Sequence, residues 1–159
     1  ATMADVYNTK AALVLGSDVR LAARAAKFNA AFIRIGLSAC DIGTSWLLPR
    51  LVGASRAQEL MLTGRVFDAA EADKLGLVSR VVDDDAILDE AMKTAELIAA
   101  NSPMGVWMTK EVMWSNLETN SLQAGIDLEN RNQIMAGASG ETEEAARAFF
   151  EKRKPRWST

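Results

Sequence analysis

The sequence predicts an α/β protein, with a body of strands and helices over residues 1–100 and a helical C-terminal region over residues 101–159. Two observations carry this prediction. Up to residue 82, short alternating or β-branched runs are interspersed with helix start signals. From residue 103 onward only helix signals follow. An α/β body with a helical tail is the layered arrangement that this order favours.

Short strands are expected at three places, which are residues 18–23, the first part of 28–36, and 77–82. In the first of these, Val19 and Leu21 alternate with Asp18 and Arg20, a pattern typical of a half-buried strand. The last, with the sequence LVSRVV, is rich in β-branched residues, which strands favour. These runs predict a sheet within the body.

Helices are predicted over residues 44–53, 55–62 and 68–75, between Asp85 and the break at 101–103, from residue 103, and over 121–137 and 141–152. Ser55 with Gln58, and Asp68 with Glu71, have the spacing of a capping box. Pro103 suits the first turn of a helix, because its missing N–H has no intrahelical partner there. Four helices in succession therefore close the chain.

Composition excludes several classes of function. The formal net charge of -3 gives no reason to expect binding to nucleic acid or to an anionic membrane. No apolar run approaches the roughly 20 residues that span a bilayer. The single cysteine, Cys40, cannot form an intramolecular disulfide and suits a reducing compartment. We therefore expect a cytoplasmic protein with neither a nucleic acid nor a membrane as its partner.

The absence of histidine narrows the chemistry further. Neither a Ser-His-Asp triad nor a Cys-His pair can be built from this chain. Zinc sites made of histidine and cysteine are equally excluded, and we predict no metal site. Acid–base catalysis would have to use carboxylates, lysine or tyrosine, and carboxylates are the most numerous candidates.

The most specific signal is a series of short motifs in a fixed order. They are Asp18-x-Arg20, Phe28, Gly36 and Gly43, Leu48-Pro49-Arg50 with Gly53, Leu62-Thr63-Gly64, Ala69-x-Glu71-Ala72 and Gly76-Leu77-Val78, followed by Asn101-Ser102-Pro103, Thr109-Lys110-Glu111 and Glu151-Lys152-Arg153-Lys154. With this order and spacing, the chain resembles the enoyl-CoA hydratase/isomerase (crotonase) family over about residues 18–157. The resemblance implies a partial crotonase-type spiral of ββα turns, the later half of the catalytic domain, followed by helices that assemble a homotrimer or homohexamer.

The same resemblance implies an acyl-CoA substrate, with coenzyme A as part of the substrate and no separate cofactor. The family stabilises an enolate-like oxygen with two backbone N–H donors, and its hydratases add two glutamates. Counting along the motifs places those glutamates at Ala12 and Phe32, and the family's glycine-rich loop at residues 8–10, which contain no glycine. A two-glutamate hydration mechanism is therefore not expected. The alternative is a non-catalytic remnant that oligomerises or binds CoA.

Asp41 is the candidate catalytic residue, because the resemblance places it where some family isomerases keep an aspartate as acid and base. The alternative is that its side chain caps the helix that begins near Thr44, a common role of aspartate. Neighbouring Cys40 is expected to be a small buried side chain.

Lys152 is the candidate CoA-binding residue, because it lies where the family places a basic residue against the CoA phosphates. A lysine binds phosphate as a point charge and tolerates imprecise geometry. The alternative is a solvated basic tail, since Lys152, Arg153, Lys154 and Arg156 form a charge run. Trp46, Trp107 and Trp114 could line an acyl pocket, although a place in the core is the more frequent role for such side chains.

Overall fold

The computed structural model describes residues 2–7 and 14–157. The strands are β1 (Thr2–Tyr7), β2 (Leu21–Asn29), β3 (Phe67–Asp68) and β4 (Arg80–Val82). The helices are a 3₁₀ helix (Ala31–Ile35), α1 (Thr44–Val52), α2 (Ala54–Thr63), α3 (Ala69–Lys74), α4 (Ile87–Ala99), α5 (Pro103–Asn116), α6 (Leu122–Gly137) and α7 (Glu141–Phe150). The α/β prediction is confirmed.

Strand β2 is the centre of the sheet. It pairs in parallel with β1 and β4 and antiparallel with β3. Ala22 and Ala26 on β2 are completely buried, and the ring of Phe28 stacks on that of Phe67 with centroids 5.4 Å apart. Helices α1, α2 and α3 also contribute to this core, including the fully buried Leu60, and Val14, Leu15, Ala39, Leu77 and Val78 complete it.

The predicted strands at 18–23 and 28–36 are wrong in their bounds, because the structure has one continuous strand over residues 21–29. Buried Arg20 lies just before it and donates to the carbonyl oxygens of Leu77, at 2.7 Å, and Ser17. The Arg20 carbonyl accepts from the Ser79 amide at 2.7 Å. These bonds hold residues 77–79 in a bend, so the strand predicted over 77–82 is limited to β4. Burial lowers the pKa of the Arg20 guanidinium, which the nearby Asp18 partly offsets.

The helix starts follow local chemistry. Asp68 caps α3, accepting from the Glu71 amide at 2.9 Å, as its capping-box spacing predicts. The cap predicted at Ser55 is wrong, because α2 already begins at Ala54 after Gly53, which makes no side-chain cap. Pro103 occupies the first turn of α5, as predicted.

Gly64 brings the end of α2 close to the 3₁₀ helix. Its φ of +57° is in the left-handed region, and a Cβ added there would come within 2.6 Å of Ile33 Cγ2 and 3.3 Å of the Ala30 oxygen. Only glycine allows both this conformation and this contact. The Leu-Thr-Gly motif thus sets the position of the segment that leads to Asp41.

Contacts divide the chain into two compact units, Ala1–Lys93 and Thr94–Thr159. The division falls inside α4, N-terminal to the boundary at residue 100 that the sequence suggests. In the part of the chain that the structure describes, none of the helices has the length and apolar character of a membrane span.

The second unit is organised around a buried carboxylate. Glu141, at the start of α7, accepts from the Ser102 hydroxyl and from the Met104 amide, the latter at 3.2 Å. Ser102 is also the N-cap of α5, since its Oγ accepts from the Gly105 amide at 2.8 Å. The Asn-Ser-Pro motif therefore joins the starts of two helices.

Candidate functional site

Asp41 lies in the first unit, on an exposed turn between the 3₁₀ helix and α1. Two consecutive residues that follow it, Ile42 and Gly43, have φ angles of +47° and +80°. The left-handed region is unfavourable for a β-branched residue such as isoleucine. The backbone of this turn is thus strained directly beside the candidate catalytic carboxylate.

The Asp41 carboxylate is held by its own turn. Its Oδ1 accepts from the Ile42 amide at 2.9 Å, and its backbone carbonyl accepts from the Thr44 amide at 2.9 Å. Gly43, which precedes α1, makes no side-chain cap, so the prediction that Asp41 caps this helix with its side chain is wrong. Among the described residues, no lysine or arginine forms an ion pair with Asp41.

A cavity of about 310 Å³ lies next to this turn. It is lined mostly by apolar side chains from the 3₁₀ helix, the turn, α1 and α2, among them Ile33, Ala39, Cys40, Ala57 and Met61. Its size falls within the range of small-molecule sites. Cys40 is exposed, so the expectation of a buried side chain is wrong. The reason is local: its amide donates to the Ser38 hydroxyl at 3.0 Å, which keeps the segment in the exposed turn.

The positions at which the resemblance places the hydratase glutamates carry no carboxylate. Phe32 lies half-buried in the 3₁₀ helix. Ala12 and the predicted loop at residues 8–10 lie outside the described residues. Across the part of the chain that the structure describes, no group of three or more potential ligands is arranged to hold a metal ion.

Lys152 lies in the second unit, directly after α7. The Arg153 amide donates to the Ala148 carbonyl at 3.0 Å and the Lys152 amide to the Phe149 carbonyl at 3.2 Å. This pair of bonds defines a Schellman motif, with Lys152 at the left-handed position that glycine usually occupies. Its φ is +53°. The side chain is exposed and forms no ion pair with a described residue.

The neighbouring basic residues are not uniformly solvated. Arg153 donates to both carboxylate oxygens of Glu144, at 2.6 and 3.2 Å, and to Glu151 at 2.5 Å. The Arg156 amide donates to Glu144 at 2.7 Å. The hydrogen bonds from Arg153, and then that from Arg156, lower the pKa of Glu144 to about 2. These bonds fix the tail on α7, whereas the side chain of Lys152 is exposed.

The tryptophans depart from the expected core positions. Trp46 and Trp107 are exposed, and the guanidinium of Arg50 stacks over the Trp46 ring at 3.6 Å from the ring centroid. Trp114 is half-buried. The pocket-lining role also finds no support, because none of the three lines the cavity beside Asp41.

A second cavity in the first unit was not predicted from the sequence. It measures about 40 Å³, and the polar residues in its apolar lining are Asn29 and Thr44. A signal was available, since Asn29 ends a strand directly after Phe28, and ligands often bind at the carboxyl ends of parallel strands.

Comparison with known proteins identifies the fold. The sequence profile of the enoyl-CoA hydratase/isomerase family matches residues 10–159. The chain belongs to the enoyl-CoA hydratase/isomerase family. It is 43% identical over 144 residues to the probable enoyl-CoA hydratase EchA12 of Mycobacterium tuberculosis, covering 90% of this chain and 50% of that protein. It is 39% identical over 148 residues to the 1,2-epoxyphenylacetyl-CoA isomerase of Escherichia coli, covering 93% and 56%.

A solved structure agrees with this assignment to the enoyl-CoA hydratase/isomerase family. The crystal structure of a probable enoyl-CoA hydratase/isomerase from Mycobacterium abscessus superposes with a TM-score of 0.88 and 40% identity, covering 96% of this chain and 60% of that chain. The family prediction and the predicted partial crotonase-type spiral are therefore confirmed. The chain spans about half the length of the curated relatives described above.

Proposed function

We propose that the chain acts on acyl-CoA thioesters and that the Asp41 carboxylate transfers a proton from one carbon of the acyl group to another. The observation that carries this proposal is the exposed Asp41 carboxylate, which has no ion pair with a described residue and lies on a strained turn beside a cavity of about 310 Å³. Backbone strain of this kind clusters at functional sites. Membership of the enoyl-CoA hydratase/isomerase family supports the class of reaction.

The proposed chemistry needs one carboxylate. Double-bond isomerisation removes a proton from one carbon and returns it to another, so a single base that becomes the acid is sufficient. Hydration also requires a second group to activate water. Because Phe32 stands where the resemblance places a glutamate, isomerisation is the better activity and hydration is weak.

Lys152 is proposed to bind a phosphate group of CoA. Its charge has no partner among the described residues, whereas Arg153 is paired with Glu144. An exposed ammonium attracts a phosphate with a strength that falls as salt rises. This contact would position the thioester without taking part in the chemistry.

The chain is further proposed to form a homotrimer or homohexamer through helices between residues 103 and 152. Phe149 and Phe150 on α7 are 79% and 82% exposed, and Leu122 and Ile134 on α6 are 82% and 75% exposed. Exposed apolar surface of this extent favours association. Light scattering at micromolar concentration measures the assembly, and a monodisperse monomer would contradict it.

The deciding experiment compares Asp41→Asn with a matched control, Asp73→Asn, on an exposed aspartate of α3 away from the cavity. Turnover of matched 3-enoyl-CoA and 2-enoyl-CoA substrates is measured for each. Asp41→Asn keeps the size of the side chain but cannot accept the proton, so isomerisation should fall roughly 10²-fold or more. Equal rates in Asp41→Asn and wild type would eliminate Asp41 as the catalyst. Efficient hydration by wild type would overturn the single-carboxylate mechanism.

A second candidate function is CoA binding or oligomerisation without turnover. The observation that favours it is the apolar Phe32 at a position where the resemblance implies a catalytic carboxylate. Calorimetric titration with an enoyl-CoA ester distinguishes this candidate from the isomerase. A non-catalytic protein would show the heat of binding, and the ester would be released chemically unchanged.

A further inference from the structure

A small cavity lies at the carboxyl end of β2, distinct from the larger one beside Asp41. Eight apolar residues from the first unit line it, among them Val14, Phe28, Leu60 and Leu77. The polar residues in the lining are Asn29 and Thr44, which are only 7% and 8% exposed. An apolar cavity would normally remain dry, so the two polar residues set this one apart.

Asn29 Oδ1 is buried and receives no hydrogen bond from any described residue. Thr44 is buried as well and lines the same cavity. Leaving a buried acceptor without a donor is unfavourable, and native proteins satisfy most such atoms with protein or with ordered water. A donor that is not part of the described chain is therefore required here.

The size of the cavity limits what that donor can be. A volume of about 40 Å³ is close to the ~30 Å³ that one water molecule occupies in the liquid. A single hydroxyl group fits, so an acyl group would place only its hydroxyl in this cavity, with the carbon chain outside it. The Thr44 amide also bonds to the Asp41 carbonyl, so this cavity and the candidate catalytic turn share a residue.

We propose that Asn29 and Thr44 form a binding site for a single hydroxyl group at the carboxyl end of β2. The carboxamide oxygen of Asn29 accepts the hydroxyl proton, and the Thr44 hydroxyl makes the second hydrogen bond. The hydroxyl comes either from an ordered water or from a hydroxyl-bearing acyl group. The second source rests on the proposed acyl-CoA function, whereas the first does not.

Stability tests whether the site is occupied. Asn29→Leu preserves the approximate shape of the side chain and removes the acceptor. If a hydroxyl is bound, Asn29→Leu and Thr44→Val should each lower Tm by about 2–4 °C, and the double variant should lose less than the sum. If the site is empty, Asn29→Leu removes an unpaired acceptor and Tm rises, which would overturn the proposal. Should Asn29→Leu not fold, Thr44→Val is decisive alone: an unchanged or higher Tm overturns the site.

Two further measurements identify the source. In the free protein, nuclear Overhauser contacts between water and the Asn29 side-chain amide indicate an ordered water. For the acyl source, the affinities of 3-hydroxybutyryl-CoA and butyryl-CoA are compared, and a preference of about fivefold that disappears in Thr44→Val assigns the hydroxyl to the ligand. If neither ester binds but the water contact is present, the acyl-CoA proposal fails and the hydroxyl site stands. Absence of both the water contact and the preference refutes the site.

Discussion

Comparing Lys152→Gly with Lys152→Ala separates the two roles that we assign to Lys152, a residue in a strained backbone conformation and a phosphate ligand. The left-handed conformation costs a residue with a side chain about 1–2 kcal/mol. Glycine removes that cost. It also lowers the free energy of unfolding by about 0.4–1 kcal/mol, because it increases the conformational entropy of the unfolded chain. The net expectation for Lys152→Gly is a gain of about 0.5–1 kcal/mol. For a chain of this length, that gain raises Tm by about 1–4 °C.

The same substitution removes the charge that we propose binds a CoA phosphate. An exposed charge pair contributes about 0.2–1 kcal/mol, which corresponds to a loss of affinity of up to about fivefold. Lys152→Ala is the matched control, because it removes the charge but keeps the strained conformation. Both variants should weaken CoA binding equally at low salt, and only Lys152→Gly should raise Tm.

Calorimetric titration with CoA at about 0.02 M and 0.5 M salt measures the affinity of each variant, and thermal unfolding measures its Tm. The affinity difference should shrink at the higher salt, where the Debye length is short. Unchanged affinity in both variants at low salt would place Lys152 with the solvated tail. A lower Tm for Lys152→Gly would show that the left-handed conformation is not a source of strain.

Three other changes probe the fold. Ser102→Ala removes both the cap of α5 and a donor to buried Glu141, so denaturant unfolding should show a loss of about 2–3 kcal/mol. Gly64→Ala combines a left-handed residue with a close contact to the 3₁₀ helix and should cost about 2–3 kcal/mol by the same measurement. The pKa of Glu144 is depressed to about 2, so its contribution is complete above about pH 4.5 and is lost as pH falls toward 2. Acid titration should then shift the indole N–H resonance of Trp157, which bonds to a backbone carbonyl in the same unit at 3.0 Å; a constant resonance down to pH 2 would contradict this linkage.

Local signals predicted the helices well because the residues that start and end them act within one turn. Asp68 with Glu71, and Pro103, are such signals, and both occupy the predicted places. The strands were less predictable. The bounds of β2 depend on Arg20, whose hydrogen bond to Leu77 joins residues 57 positions apart. No local pattern encodes a contact at that separation in sequence.

The candidate site, too, was predictable where local motifs define it and not where it depends on the folded backbone. The motif order indicated Asp41 and Lys152, but their surroundings depend on backbone angles that residue types do not reveal. Left-handed φ angles are uncommon for residues other than glycine. The Asn29 cavity was missed for a related reason, since an unpaired acceptor can be recognised only when all neighbouring groups are in place.

Among the described residues, the non-glycine positions with left-handed φ are Ile42 and Lys152. Ile42 follows the candidate proton carrier, and Lys152 is the candidate phosphate ligand. Such strain persists only where the surrounding structure enforces it, and it clusters at sites that contact ligands. The sequence motifs indicate Lys152 itself and Asp41, the residue before Ile42, without any knowledge of backbone angles. The agreement of two independent criteria supports both proposals, and it makes Lys152→Gly informative, since relief of strain and loss of binding should then occur together.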